Sequence, residues 1–356
     1  MKSLLMAPDL FAADGGIARM LRLYLKALCE LAAEGDSVRF ISLNDRTVGT
    51  EELRRYSGKA LVEWQTCGRS KATFVRSALR MGSASDRIVC GHVAQLPVAW
   101  AAAKLRPALS YYLVAHGIEV WRPFSFLERR ALAGAKLVLC VSDYTRSQVL
   151  ERIRIPSQRV VLLPNALDPH MAPAEAAPRS EGPPVILTLS RISLADSYKG
   201  IDHLIAAMPA VRTEIPEARL RIVGRGDGLP AMRKLADSLG LDGAVEFAGH
   251  RSDAELRRDF EQCSLFALPS QKEGFGLVYL EAMAHGRPCL GARSGGTPEV
   301  ISADTGVLVN YGDVPAIASA IVGSLRRDWR PELLLERARE FSYLRFKERF
   351  ASLLLA

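Results

Sequence analysis

Two patterns of apolar positions alternate along this chain. Short, near-continuous apolar runs cover 3–9, 37–43, 86–92, 110–117 and 135–143, each followed by loop residues. Between the first two, residues 17–35 carry apolar side chains at helical spacing and end on Gly35. Runs without polar alternation are buried on both faces, which predicts strands of a parallel sheet. The pattern breaks at 163–184, a Pro- and Ala-rich stretch without period that reads as a linker. It then restarts. Strands are predicted at 184–192, 218–224, 244–250 and 264–270 and helices at 200–216, 229–240, 252–263 and 277–286, and the alternation continues through 288–296 and 306–313. Strand–helix alternation on both sides of a linker predicts two α/β domains with parallel sheets. The expected organisation is a Rossmann-like domain over 1–168, a linker over 169–184 and a second Rossmann-like domain over 185–337. A last helix, at about 338–356, is expected to pack back on the first domain.

Charge changes the picture on one side only. Residues 1–170 carry 24 Lys/Arg and 15 Asp/Glu, a balance of +9 against +8 for the whole chain. The whole basic excess therefore lies in the first half, as a solvated face or as an attraction for an anionic membrane or phosphate-bearing partner. No helix-turn-helix, zinc-finger or RNP-like pattern accompanies it, so nucleic acid is not an expected partner. Six cysteines, at 29, 67, 90, 140, 263 and 289, form no CxxC pair and no metal-ligand spacing with histidine. They read as buried thiols in a reducing compartment. The N-terminal apolar stretch is interrupted by Pro8 and Asp9 and does not read as a signal peptide. The expected location is cytoplasmic, with peripheral contact at the inner face of the membrane.

In parallel sheets ligands bind at the carboxyl ends of strands, so candidate chemistry is sought there. The stretch QKEGFGLVYLEAMAHG holds Glu273 and Glu281 with seven residues between them, on either side of a glycine turn that opens a helix. Gly274 and Gly276 allow close backbone approach, and the free N–H groups of the helix start suit an anion. Two carboxylates around such a cradle suit hydroxyls, so the matching ligand carries both phosphate and hydroxyls: a nucleotide sugar. Arg191 follows a strand and Lys199 precedes the next helix, and two such cations can grip a diphosphate. Gly224 and Gly226 begin a GxGxxG-like pattern whose third position is Leu229, so a dinucleotide fingerprint fails and a tight loop remains. The loop Asp14-Gly15-Gly16 is a second place of phosphate approach, and His116 ends another strand. The chain contains no Asp-x-Asp, so a metal-dependent transfer is not supported and no cofactor or metal is expected.

The segments SRISLADSYKG, VGRGDG, EFAGH, ALPSQKEGFGLVYLEAMAHGRP and SGGTPEVI, with PNALD and GGIAR, resemble the retaining GT-B glycosyltransferases of family 4 (group 1). The C-terminal half matches almost throughout, the N-terminal half by architecture and a few loops. The resemblance implies two domains facing a cleft, the first for the acceptor and the second for the donor. It implies a retaining transfer of sugar from a UDP- or GDP-sugar to a lipid-linked or polysaccharide acceptor in bacterial surface polysaccharide assembly. A nucleotide-sugar epimerase, a phosphorylase or a non-catalytic sugar-nucleotide-binding subunit is the alternative. By resemblance, Arg191 and Lys199 hold the donor diphosphate, Glu281 the ribose hydroxyls, and Glu273 the transferred sugar and leaving oxygen. The amides of Gly274, Phe275 and Gly276 contact sugar and phosphate, with Leu277 and Gly224 beside them. Gly16 lets the first loop approach the diphosphate, His116 approaches the sugar, and the segment holding His250 and Arg251 flanks the base. The chain departs from the family at Ala166, where PNALD carries alanine in place of a frequent glycine.

Overall fold

The computed structural model describes residues 1–12, 15–171 and 182–355. Asp14 and most of the linker expected over 169–184 lie outside them. The chain divides into two units, Met1–Asp168 with Tyr343–Ala356, and Pro169–Ser342.

In the first unit the apolar runs form β1 (Lys2–Ala7), β2 (Ser37–Ser42), β3 (Val62–Thr66), β4 (Arg87–Cys90), β5 (Ser110–Ala115), β6 (Leu137–Cys140) and β7 (Val160–Leu162). All pair in parallel in the order β3-β2-β1-β4-β5-β6-β7. The central strands bury both faces: Leu4, Met6, Ile88, Cys90, Leu113 and Cys140 have no exposed surface. The two strands not predicted from the pattern are the edges. β3 exposes Glu63 and Trp64, and β7 has three residues, so neither has a continuous apolar run. Helices Gly16–Glu30 and Lys71–Ser83 cover the sheet with amphipathic faces. The last helix, Tyr343–Leu355, packs on Gly16–Glu30: Tyr24 meets Phe346 and Phe350 edge-on at 4.9 and 5.0 Å.

The second unit holds β8 (Val185–Leu189), β9 (Arg219–Val223), β10 (Val245–Gly249), β11 (Leu265–Leu268), β12 (Cys289–Ala292) and β13 (Gly306–Val309). They run parallel in the order β10-β9-β8-β11-β12-β13. In each sheet the strand order reverses once, between β1 and β4 and between β8 and β11. The crevice at the carboxyl ends of those pairs is where doubly wound sheets take ligands. All six cysteines are unbridged and buried. Burial pushes the Cys90 and Cys263 thiols up to about 12, so both stay protonated and inert. Among the described residues no helix is long and apolar enough to cross a membrane.

Candidate functional site

The loops after β8 and β11, at the second sheet's reversal point, carry most of the predicted residues. Arg191 sits two residues past β8. Its Nε donates to Asp196 Oδ2 at 2.5 Å, and Asp196 is buried while the arginine side chain is 73% exposed. The guanidinium beside Asp196 holds that carboxyl below the usual carboxylate range, so the pair stays ionised and the arginine stays aimed. The short helix Leu194–Lys199 then ends on Gly200 at φ 71°, where an added Cβ would lie 2.6 Å from the Pro269 carbonyl. That close approach joins the β8 loop to the β11 loop, and Gln271 N–H donating to the Tyr198 carbonyl at 2.7 Å fixes it. Lys199 Nζ consequently reaches Glu273 Oε2 at 2.8 Å, with both side chains mostly buried.

The glycine turn is built as the spacing required. Gly276 sits at φ 98° with an added Cβ only 2.4 Å from the Tyr279 ring, so no other residue fits. Phe275 turns inward, 3% exposed, and meets Phe341 edge-on at 5.4 Å. Its side chain anchors the turn on Phe341. Helix Leu277–Ala284 begins at Leu277 and presents Glu281 in its second turn, 4% exposed. Behind the turn lies a segment for which sequence reasoning assigned no role. Gly296 N–H donates to the Glu273 carbonyl at 2.8 Å, and Ser294 Oγ donates to the Gln271 carbonyl at 2.5 Å. Cβ atoms added at Gly295 and Gly296 would lie 2.3 and 2.4 Å from the carbonyls of Glu273 and Gly274. The SGG sequence was the available signal, but nothing local tied it to a loop about twenty residues earlier.

Two expected residues, Gly224 and Arg251, have other engagements. Gly224, at φ 145°, is required by packing: an added Cβ would lie 1.9 Å from the Ser190 carbonyl. Its N–H donates to Gly249 at 2.8 Å, the tight loop read from the sequence. Arg251 is held by the carboxylates of Glu246, Glu255 and Asp259 at 3.7, 3.5 and 3.3 Å. Asp259 also takes Arg221 at 2.9 Å, so Arg251 belongs to an ion-pair cluster on helix Asp253–Gln262. His250 stands exposed beside it at the end of β10.

Gly16 and His116 belong to the first unit. Gly16 opens helix Gly16–Glu30, with Gly15 as its N-cap. His116 ends β5, 7% exposed, with Nε2 unpartnered among the described residues. Burial, reinforced by neighbouring His92, pushes its pKa down to about 3, so the imidazole is neutral at physiological pH. A neutral imidazole offers a hydrogen bond rather than a charge. Glu119, not anticipated from the sequence, shapes this corner: its Oε1 accepts the N–H groups of His116 and Gly117 at 2.5 and 3.2 Å.

Residues 15–171 match the family model described as Glycosyltransferase Family 4, and residues 183–327 match Glycosyl transferases group 1. The chain is 37% identical over 235 residues to a GDP-mannose-dependent alpha-(1-6)-phosphatidylinositol monomannoside mannosyltransferase of Mycolicibacterium smegmatis, covering 60% of each chain. It is 32% identical over 269 residues to the Mycobacterium tuberculosis enzyme of the same name, covering 70% of this chain and 66% of that one. The matched region thus spans about three fifths to two thirds of the length of these relatives. The crystal structure of Anabaena HepE in complex with UDP-glucose superposes with a TM-score of 0.78 at 20% identity over 99% of both chains, a likeness of fold. With both units matched by the family's two models and each built as a parallel doubly wound sheet, the chain belongs to the glycosyl transferases group 1, family 4, with the GT-B fold.

Proposed function

We propose that this chain is a retaining glycosyltransferase that moves a sugar from a nucleotide diphosphate donor to a lipid-linked or saccharide acceptor without a metal. The observation that carries the reading is the assembly of Arg191, Lys199 and Glu273 by two loops at one sheet-reversal point, beside a helix start followed by buried Glu281. When the sugar departs, negative charge accumulates on the leaving diphosphate. Arg191, aimed by Asp196, and Lys199 meet that charge together with the free N–H groups of the helix start at Leu277, the task a metal performs elsewhere. Glu281 takes ribose hydroxyls and Glu273 the sugar. His116, being neutral, contributes a hydrogen bond in the first unit, where the acceptor is taken to bind. The names of the two mycobacterial relatives make GDP-mannose the first donor to try and a lipid-linked glycoside the first acceptor, with the UDP-sugars as the second donors.

The test is donor turnover by the purified chain with GDP- and UDP-sugars, with and without EDTA. Arg191→Ala and Lys199→Ala should each lose about 2–3 kcal/mol of transition-state stabilisation, roughly a hundredfold in rate. EDTA should leave turnover unchanged. Wild-type turnover by either variant removes that residue from the site, and a strict need for a divalent cation removes the metal-free mechanism.

A further inference from the structure

The first unit holds a cavity of about 410 Å³ to which the reading above gives no role, lined by Phe11, Ala12, Asn44, Arg46, Glu52 and Arg69 among others. The loops after β1, β2 and β3 form its walls, at the carboxyl edge of the sheet. Those loops are tied to one another. Asp45, fully buried, accepts the backbone N–H groups of Leu10, Phe11 and Ala12 at 2.9, 3.0 and 2.5 Å. Gly68 N–H donates to the Asp45 carbonyl at 2.9 Å, Arg69 N–H to the Leu43 carbonyl at 2.7 Å, and the Thr66 hydroxyl to the Arg46 carbonyl at 3.0 Å.

This bracing leaves a particular charge pattern. The Asp45 carboxylate is taken up by amides, while Arg46 and Arg69 are exposed. Neither guanidinium has a hydrogen bond or ion pair among the described residues. The Arg46 side chain lies over Gly68, with Cγ 3.8 Å from where a Cβ would stand, next to Arg69. Arg69 has φ 73°, the one positive φ outside glycine among the described residues. Glycine adopts that backbone at no steric cost and arginine does not. The turn is therefore strained at the residue whose charge lines the cavity, as backbone strain at ligand sites often is. Glu52 on the same lining stands 3.9 Å from the buried Arg22 guanidinium; its carboxylate would repel a bare anion and can take a hydroxyl on its remaining lone pairs.

We propose that this cavity anchors the acceptor by a phosphorylated, hydroxyl-bearing head: Arg46 and Arg69 take the phosphoryl oxygens and Glu52 a neighbouring hydroxyl. The proposal rests on the transferase reading and adds the acceptor's anionic class and its point of attachment. The +9 balance of residues 1–170 draws such a head group toward this unit. Two guanidiniums suit phosphate because each presents a planar fork of donors.

The test uses the full chain, as wild type, Arg46→Ala, Arg69→Gly and the double variant. Calorimetry with glycerol 1-phosphate and with glycerol reads a soluble head. Flotation with phosphatidylglycerol and with phosphatidylcholine vesicles reads a lipid one. UDP and GDP binding is measured on the same samples. Arg69→Gly relieves the turn, so its Tm should hold or rise while binding falls, which separates charge from folding. The expected result is binding of the phosphorylated probe and not its neutral counterpart, weakened about tenfold or more by each variant, with nucleotide binding unchanged. Loss in the calorimetry arm assigns a soluble phosphorylated acceptor, and loss in the vesicle arm alone a lipid head group; both support the site. Variants within twofold of wild type in both arms, or no binding in either, overturn it. A wild type that binds neither UDP nor GDP overturns the transferase reading instead.

Discussion

Lys199 and Glu273 stand 74 positions apart and meet at 2.8 Å, so the carboxylate proposed for the sugar also neutralises the cation proposed for the phosphate. This couples their variants. Glu273→Gln keeps the shape but releases Lys199 toward the diphosphate, so affinity for bare GDP or UDP should hold or tighten while donor turnover falls tenfold or more. Lys199→Ala leaves Glu273 without its counter-ion beside the phosphates and should weaken nucleotide binding by about 2 kcal/mol. Calorimetry on both decides. If Glu273→Gln weakens nucleotide as much as Lys199→Ala does, Glu273 serves to hold the lysine. His116 gives a pH prediction. Its folded-state pKa, about 3, lies below the ordinary 6.5. The unfolded chain therefore takes up a proton near pH 6.5 that the folded chain refuses until near pH 3. The stability from the neutral imidazole is full above pH 6.5 and is lost as pH falls toward 3. Burial lowers His92 and His285 in the same direction. Tm should fall between pH 7.5 and pH 5, less steeply in His116→Gln. Parallel Tm–pH curves for the two proteins would contradict this account.

At the scale of elements, the site depends on turns pressed against turns. Gly295 has φ 59° and its Cβ position lies 2.3 Å from the Glu273 carbonyl. Gly295→Ala should push the Glu273 loop outward, costing about 1–3 kcal/mol of stability and reducing turnover beyond what the stability loss explains. Gly323 is the control. It lies inside helix Val314–Arg326 with nothing within 4 Å of its Cβ position, so Gly323→Ala should stabilise by about 0.5–1 kcal/mol and leave turnover alone. Thermal melts and donor kinetics on the pair test this, and equal effects would remove the turn from the mechanism. The strands were legible wherever both faces are buried, because burial on two sides forces an unbroken apolar run. At the edges of the first sheet the apolar run is broken by exposed Glu63 and Trp64 in β3 or shortened to three residues in β7, and neither left a comparable trace, whereas the edge strand β10 was legible from its apolar alternation.

For the whole molecule the question is where the basic excess faces. Arg76 and Arg80 are exposed, one turn apart on helix Lys71–Ser83. If that face meets an anionic membrane, the chain should sediment with phosphatidylglycerol vesicles at low salt and be released as salt rises, since exposed charges are screened beyond about 10 Å at 0.1 M. Arg76→Glu with Arg80→Glu should reduce that binding and leave donor turnover unchanged, because Arg191, Lys199, Glu273 and Glu281, the residues proposed for the donor, lie in the other unit. Undiminished sedimentation of the double variant would place the contact elsewhere. The last helix is a second feature of this scale: Glu30 accepts from Tyr343 and Lys347 at 3.0 and 2.8 Å, so the chain's end is tied to its first helix.

The sequence by itself determined the layered α/β architecture, because the periods of strand and helix record which faces are buried, and burial is the dominant favourable term in folding. It also located the glycine turn and its two glutamates, since a left-handed turn that opens a helix is a local requirement. Only the tertiary structure decided which charges meet. It gave Arg191 to Asp196, Lys199 to Glu273 and Arg251 to a cluster of carboxylates, made His116 neutral by burial, and pressed Gly295 against a loop about twenty residues upstream. Ion pairs and desolvation depend on distances of a few ångströms between loops that no short-range pattern relates. The identity of a charged residue can therefore be read from the chain, whereas its partner is set by how the strands are ordered in the sheet.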